Sequence, residues 1–463
     1  MSTWTLKLRK HPLETILALF GDVHPGEAVT VLLLALNVFL ILTSYYLLKV
    51  AREPLVLLGG GAEIKSYASL GQTVLLIGVA SLYGWLSARV SCIKLIAFGT
   101  VFFVAQLLLF WVLGLCRVKI AIPFYLWVGV FNVVTITQFW SFAADTYTEE
   151  QGKRLFPIVG IGSSFGAVGG AWLAAPLIRL GSPFLLMLVS AAVLAVALAV
   201  TFAVYRRETG LDKDHPALAP LVPGNAFALV LRDRYLLVFA LLVLALNYVT
   251  KSGDYVLDRM LLAQAPDHGR TAYIGQFKAH YFEWVNLCGV VLQLFFVSRI
   301  VKYLGLRTAL VLVPIASLGG YGATLIVPIM GILFFGRVVE SSLDYTLSNT
   351  SQQTLWLPTS REAKYKAKQV VDGFFRRGGD ALSAGVVWVG AHFLLSTRAF
   401  LAINVAVTMV WVGLAWVLGR DYAKRVGRPE TPSLPALPSL GSRGDGLPSP
   451  GRQAPAGVTL VVK

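Results

Sequence analysis

Residues 28–50 read AVTVLLLALNVFLILTSYYLLKV, a run with no charge before Lys49 and apolar on every helical face. At 1.5 Å per residue it reaches roughly 35 Å, enough to cross a hydrocarbon core of about 30 Å. A barrel strand would need only ~10 residues of alternating polarity, so the run predicts a transmembrane helix. Outward from it, comparable runs occupy 67–87, 93–115, 121–144, 155–178 and 184–205, then 235–257, 274–297, 307–327, 329–350, 369–394 and 397–419. The fold class this predicts is an all-α membrane protein of about 12 transmembrane helices. A hydrophobic share of 56 %, a charged share of 14 % and a mean hydropathy of +0.69 exclude a soluble domain.

The net charge of +16 sits in short loops rather than on one continuous basic face, which argues against nucleic acid as a partner. With a cytoplasmic N-terminus, the cytoplasmic loops hold Arg89 and Lys94, Lys153 and Arg154, Arg206, Arg207 and Lys213, Arg299, Lys302 and Arg307, and Lys364, Lys366 and Lys368. The alternate loops are poorer in Lys and Arg, so the positive-inside rule places both termini in the cytoplasm of a cell inner membrane. The expected organisation is a cytoplasmic amphipathic segment over 1–26, a six-helix bundle over 27–205, a linker over 206–234 and a second bundle over 235–420. A disordered Pro-rich tail over 421–463 completes it. No A-x-A cleavage site follows the first run, which reads as a retained span. Cys92, Cys116 and Cys288 are an odd number in or beside spans and make no disulfide framework.

The two bundles echo each other. Tyr46 to Lys49 near the end of the first span parallels Tyr248 to Lys251 near the end of the seventh, and Thr148 to Lys153 parallels Thr359 to Lys364. Two six-helix pseudo-repeats fit a major facilitator-like arrangement, whose substrate site lies at the midplane between the repeats.

Ionisable groups inside spans are costly and normally face a partner or a wet cavity. Lys49, Arg52 and Glu53 close the first span, where the two cations either snorkel to the interface or meet substrate. Lys251, Asp254 and Asp258 in the seventh are spaced to pair along one face, and Lys278, His280 and Glu283 enter the eighth early, at its mouth. Arg337, Glu340 and Asp344 fall on one stripe of the tenth, with Arg337 and Glu340 expected to pair. In the eleventh, Asp372–Arg376 and Arg376–Asp380 are i, i+4 pairs, which leaves Arg377 unmatched and suited to bidentate capture of phosphate or carboxylate. The cations favour a small anionic substrate. Tyr45, Tyr46, Phe139, Trp140 and Tyr248 offer stacking faces for a base or sugar, or plain packing.

The glycines of IVGIGSSFGAVGGAW, 158–172, lack a preceding strand and a Gly-Lys-Ser/Thr ending, so they read as small-residue helix packing. No HExxH, CxxC or nucleophile-elbow motif appears, so neither an enzyme nor a cofactor is expected. No protein partner is called for beyond the bilayer itself. Runner-up readings are a carrier of another organic anion, proton-coupled through Glu340, Asp344 or Asp380, and a non-transporting membrane sensor or scaffold.

Three stretches carry a resemblance: YYLLKVAREPLVL at 45–57, FWSFAADTYTEEQGKRLFPIVGIGSSFGAVGG at 139–170, and WLPTSREAKYKAKQVVDGFFRRGGDALSAG at 356–385. In these the chain resembles the ATP/ADP translocase (nucleotide transporter) family, a twelve-helix branch of the major facilitator architecture. The family's basic residue near the end of the first span matches Arg52, followed by Glu53, and its Lys-rich approach to the eleventh matches Lys364, Lys366, Lys368 and Asp372. Members that exchange ATP for ADP carry acidic residues where this chain has Tyr125 and Asn247. The resemblance implies secondary nucleotide exchange, with phosphates among Lys49, Arg52, Lys251 and Arg377, the base on an aromatic wall, and the halves rocking about the site.

Overall fold

The computed structural model describes residues 23–426 apart from Pro25, 88–89, Thr148, Gly181, 209–225, Leu357, 360–366 and Gln369. Residues 1–22 of the N-terminal segment, 427–463 of the Pro-rich tail, Arg89, Lys213, Lys364 and Lys366 lie outside the described residues, while 421–426, assigned to the tail from the sequence, continue the last helix.

The first helix, α1 (Ala28–Ser87), is longer than the sequence suggests. Residues 51–66, read as a connection because of their charges, are helical, and the chain doubles back only at Gly61, whose φ of 78° and ψ of −178° leave the helical region. Glycine takes a positive φ without the Cβ clash that penalises other residues. The polar stretch stays helical because its charged side chains are neutralised inside the protein, so it has no need of water. α1 therefore crosses twice, through a limb on each side of Gly61.

Four helices follow: α2 (Cys92–Leu115), α3 (Ala121–Thr146), α4 (Glu149–Leu180) and α5 (Pro183–Glu208). A short α6 (Ala226–Arg232) precedes α7 (Arg234–Gln264). α8 (Arg270–Val291) continues through two π-helical segments, Leu292–Phe296 and Ile300–Leu304, to a corner at Gly305, φ 78°, before α9 (Gly305–Ile326). α10 (Met330–Leu343) runs on through π-helical Asp344–Ser348 into Asn349–Leu355. α11 (Arg376–His392) is led in by π-helical Val370–Phe375, and α12 (Thr397–Val426) closes the described chain.

Among the described residues eight helical stretches are long and apolar enough to span a membrane. α8 falls short by its polar composition, and α10 and α11, 14 and 17 residues, by length because π-helical segments adjoin them; with both limbs of α1 they bring the passes to the twelve predicted. Large apolar side chains such as Phe98, Leu180 and Leu394 face outward, at 80, 82 and 88 % exposure, as lipid-facing surface requires. The passes alternate in direction, so Ala28, Arg154, Arg206, Arg207, Arg299, Lys302 and Arg307 share one end, with Gly61 at the other.

Backbone proximity locks α1 to α4. A Cβ at Gly162, Gly166 or Gly170 would stand 2.3, 2.4 or 2.6 Å from the carbonyl oxygens of Ala35, Phe39 or Thr43. These are packing glycines, as expected, not a phosphate loop. The second half repeats the device between α11 and α7, where a Cβ at Gly379 would lie 2.5 Å from the Leu244 oxygen. At the Ala28 end Arg154 Nη2 meets Glu27 Oε1 at 3.0 Å and fastens α4 to the start of α1.

Gly166→Leu should lower the melting temperature of the purified protein by overpacking worth about 1–3 kcal/mol or more. Gly160→Ala, with open space around its Cβ, should leave it unchanged or slightly raised.

Candidate functional site

The bend at Gly61 brings Lys65 of the second α1 limb back onto Glu53 of the first, Nζ to Oε2 at 2.6 Å. The same ammonium reaches Asp258 Oδ2 of α7 at 2.6 Å, and Lys278 of α8 contacts both Asp258 and, at 3.6 Å, Glu53. Two lysines and two carboxylates thus alternate in a closed ring, the carboxylates 1 % exposed, Lys278 3 % and Lys65 12 %. Glu53 and Lys65 belong to the first half, Asp258 and Lys278 to the second. Removing one member of a buried ion pair typically costs about 3–5 kcal/mol, because its partner is left charged and dry. Tyr255 adds a tie at the same end by donating to Glu63 Oε1 at 2.9 Å.

Against the ring lies a cavity of about 280 Å³ between the halves. Lys49, Arg52, Lys251, Arg337 and Arg377, every cation assigned to substrate from the sequence, line it, together with Glu53 and Asp254. Their partners differ sharply. Arg337 Nη1 meets Glu340 at 2.7 Å as expected, and its Nη2 meets Asp254 at 2.6 Å, so this guanidinium is doubly matched. Arg52 donates to Glu53 at 3.3 Å and lies 4.7 Å from the Tyr125 ring centre.

Lys49 and Lys251 have no carboxylate within salt-bridge distance among the described residues. The Lys49 ammonium instead sits 4.1 Å from the ring centre of Phe282 and 4.8 Å from that of Tyr46. A desolvated cation–π contact is worth about 2 kcal/mol, against the several kcal/mol that burial of an ammonium costs. An anion entering the cavity would supply the difference.

Several expectations change. Asp254 and Asp258 do not pair with Lys251; Arg337, Lys65 and Lys278 take them from other helices. Arg377 is not unmatched, since its Nη1 lies 3.7 Å from Asp380 Oδ2. The expected Asp372–Arg376 pair forms, at 3.6 Å, but Arg376 does not pair with Asp380, which Arg377 takes, and its Nη2 donates to Gln352 Oε1 at 3.0 Å. Asp344, at the opening of the π-helical segment of α10, is half-buried and forms no ion pair among the described residues. Tyr46 contributes its ring to Lys49 while its hydroxyl donates to Asn286 Oδ1 at 2.9 Å across the halves. Trp140 is misassigned: it packs edge-on against Phe139 and Phe156 and is not in the cavity wall. Lys65 was missed because its stretch reads as a loop, and Lys278 belongs to the ring and cavity rather than to a mouth. Asn247 donates to its own helix at Val243 O, and Tyr125 lies beneath Arg52.

No family profile matches the chain. It is 23 % identical over 338 residues to ADP,ATP carrier protein 1 of Chlamydia trachomatis, covering 62 % of each chain. It is 23 % identical over 360 residues to ADP,ATP carrier protein 4 of Rickettsia conorii, covering 64 % of this chain and 66 % of the relative. Its sequence relatives are ADP,ATP carrier proteins. The matches span less than two thirds of those relatives' own length. In fold, it superposes on the nucleoside transporter NupG with a TM-score of 0.60 at 13 % identity, over 86 % of this chain and 100 % of that one. A peptide transporter POT in complex with sulfate gives 0.61 at 15 %, over 90 and 99 %. The chain has the all-α fold of these solved membrane transporters, and the sequence relatives it matches are carrier proteins.

Lys278→Met should destabilise the protein by about 3–5 kcal/mol in thermal melts, with Lys278→Met/Asp258→Leu recovering much of the loss, whereas Trp140→Ala should leave ligand binding unaltered.

Proposed function

We propose that the chain exchanges nucleotides across a bacterial inner membrane by alternating access. One observation carries the reading: seven cations line one cavity between the halves, and two of them, Lys49 and Lys251, have no counter-charge in contact among the described residues. Phosphates seat among Lys49, Arg52, Lys251 and Arg377 as charge-assisted contacts, and the base rests on the wall formed by Tyr45 and Phe282. The similarity to ADP,ATP carriers supports this choice of anion.

The Ala28 end, where the basic loop residues gather, faces the cytoplasm, and both termini lie there. Residues 27–205 and 235–420 act as the moving bundles, joined by 206–234. The ring and the Tyr255–Glu63 bond close the Gly61 end. Opening that end requires the ring to part, after which each bundle keeps one carboxylate and one lysine, so each face stays neutral as it separates. Where the exchanged nucleotides differ by one charge, each charge crossing 100 mV contributes about 2.3 kcal/mol, and the membrane potential sets the direction.

Purified protein in liposomes preloaded with AMP, ADP or ATP, with and without Mg²⁺, should take up labelled nucleotide, and Lys251→Ala should reduce that uptake at least tenfold. Preloaded vesicles that accumulate no nucleoside phosphate would refute the proposal.

A further inference from the structure

Resting on the nucleotide reading, we propose that the cavity selects its guest by charge and takes a net dianion. The charged groups that line the cavity, with those they pair to directly, are seven cations and five carboxylates. The surplus of two positive charges is Lys49 and Lys251, the two lysines without an ion-pair partner. Lys49 is about nine-tenths buried, so water cannot fully satisfy its ammonium, and its aromatic neighbours are neutral.

A guest with two negative charges neutralises the seat. A third charge meets no free cation, because every other one is held by a carboxylate, and must either break such a pair or face the carboxylate itself. A single charge leaves one buried ammonium unmet. Two nucleotide species carry a net charge of two at neutral pH: a nucleoside monophosphate, and a nucleoside triphosphate chelated to Mg²⁺. Both present the same net charge to the cavity, and the presence or absence of Mg²⁺ tells them apart.

The test is competition against labelled nucleotide uptake in proteoliposomes. The competitors are AMP, its phosphate methyl ester, ADP and ATP, each with EDTA and with excess Mg²⁺. AMP strongest in both conditions, or ATP strongest only with Mg²⁺, supports the inference and names the source. Lys49→Met and Lys251→Met should each weaken the dianion at least tenfold while changing the monoanionic methyl ester less than about threefold. Lys49→Arg, which keeps the charge, should retain the preference. Asn132→Lys, at a neutral position in the wall, should move it toward Mg²⁺-free ADP. Melting of each variant without ligand separates misfolding from lost selectivity.

Metal-free ADP or ATP competing best, with the methionine variants weakening every charge state equally, would overturn the dianion while leaving nucleotide transport standing. Labelled uptake that no nucleoside phosphate supports or displaces would overturn both.

Discussion

Two lysines and two carboxylates, withheld from water and drawn from four helical segments, are the constraint around which the rest of the molecule is arranged. Buried charges of this kind are a poor source of stability, since well-packed apolar groups of equal volume often do as well. Their use lies in specificity: the ring closes only when both limbs of α1, α7 and α8 stand in one register. Two of its contacts, Lys65–Glu53 and Lys278–Asp258, lie within a half and two, Lys65–Asp258 and Lys278–Glu53, cross between halves, so parting the halves breaks only the second pair.

The bend at Gly61 belongs to the same device. Without a residue free to adopt a φ of 78°, Lys65 would continue along the helix axis, roughly 18 Å beyond Glu53, instead of returning to it. Tight backbone approaches between α1 and α4, and between α7 and α11, hold the frame within each half, so motion concentrates between the halves. The cavity combines matched cations, which keep their geometry in the absence of substrate, with unmatched ones, which supply the affinity.

The passes were legible in the sequence because lipid leaves a helix little choice: runs such as 93–115 and 184–205 agree with α2 and α5 to within a few residues. The cations of the site were legible for the same reason, a charge in a span being too costly to leave without purpose. Their partners were not. Intrahelical spacing pairs Arg376 with Asp380, yet Arg377 takes that carboxylate and Arg376 donates to Gln352 of another helix. Spacing says nothing about Lys65, whose partners lie 12 and 193 residues away. Trp140 shows the converse failure: an aromatic inside a stretch that carries the resemblance, it packs against Phe139 of its own helix and Phe156 of α4 instead of lining the cavity.

The most direct measurement of the central claim is the distance between spin labels at Arg117 and Asp267, exposed loop positions on opposite halves at the Gly61 end. By pulsed electron resonance, the account predicts one short distance without ligand, a second longer population on adding nucleotide, and that longer population already present in Glu53→Gln. A single distance unchanged by nucleotide and by the loss of the Glu53 charge would contradict it.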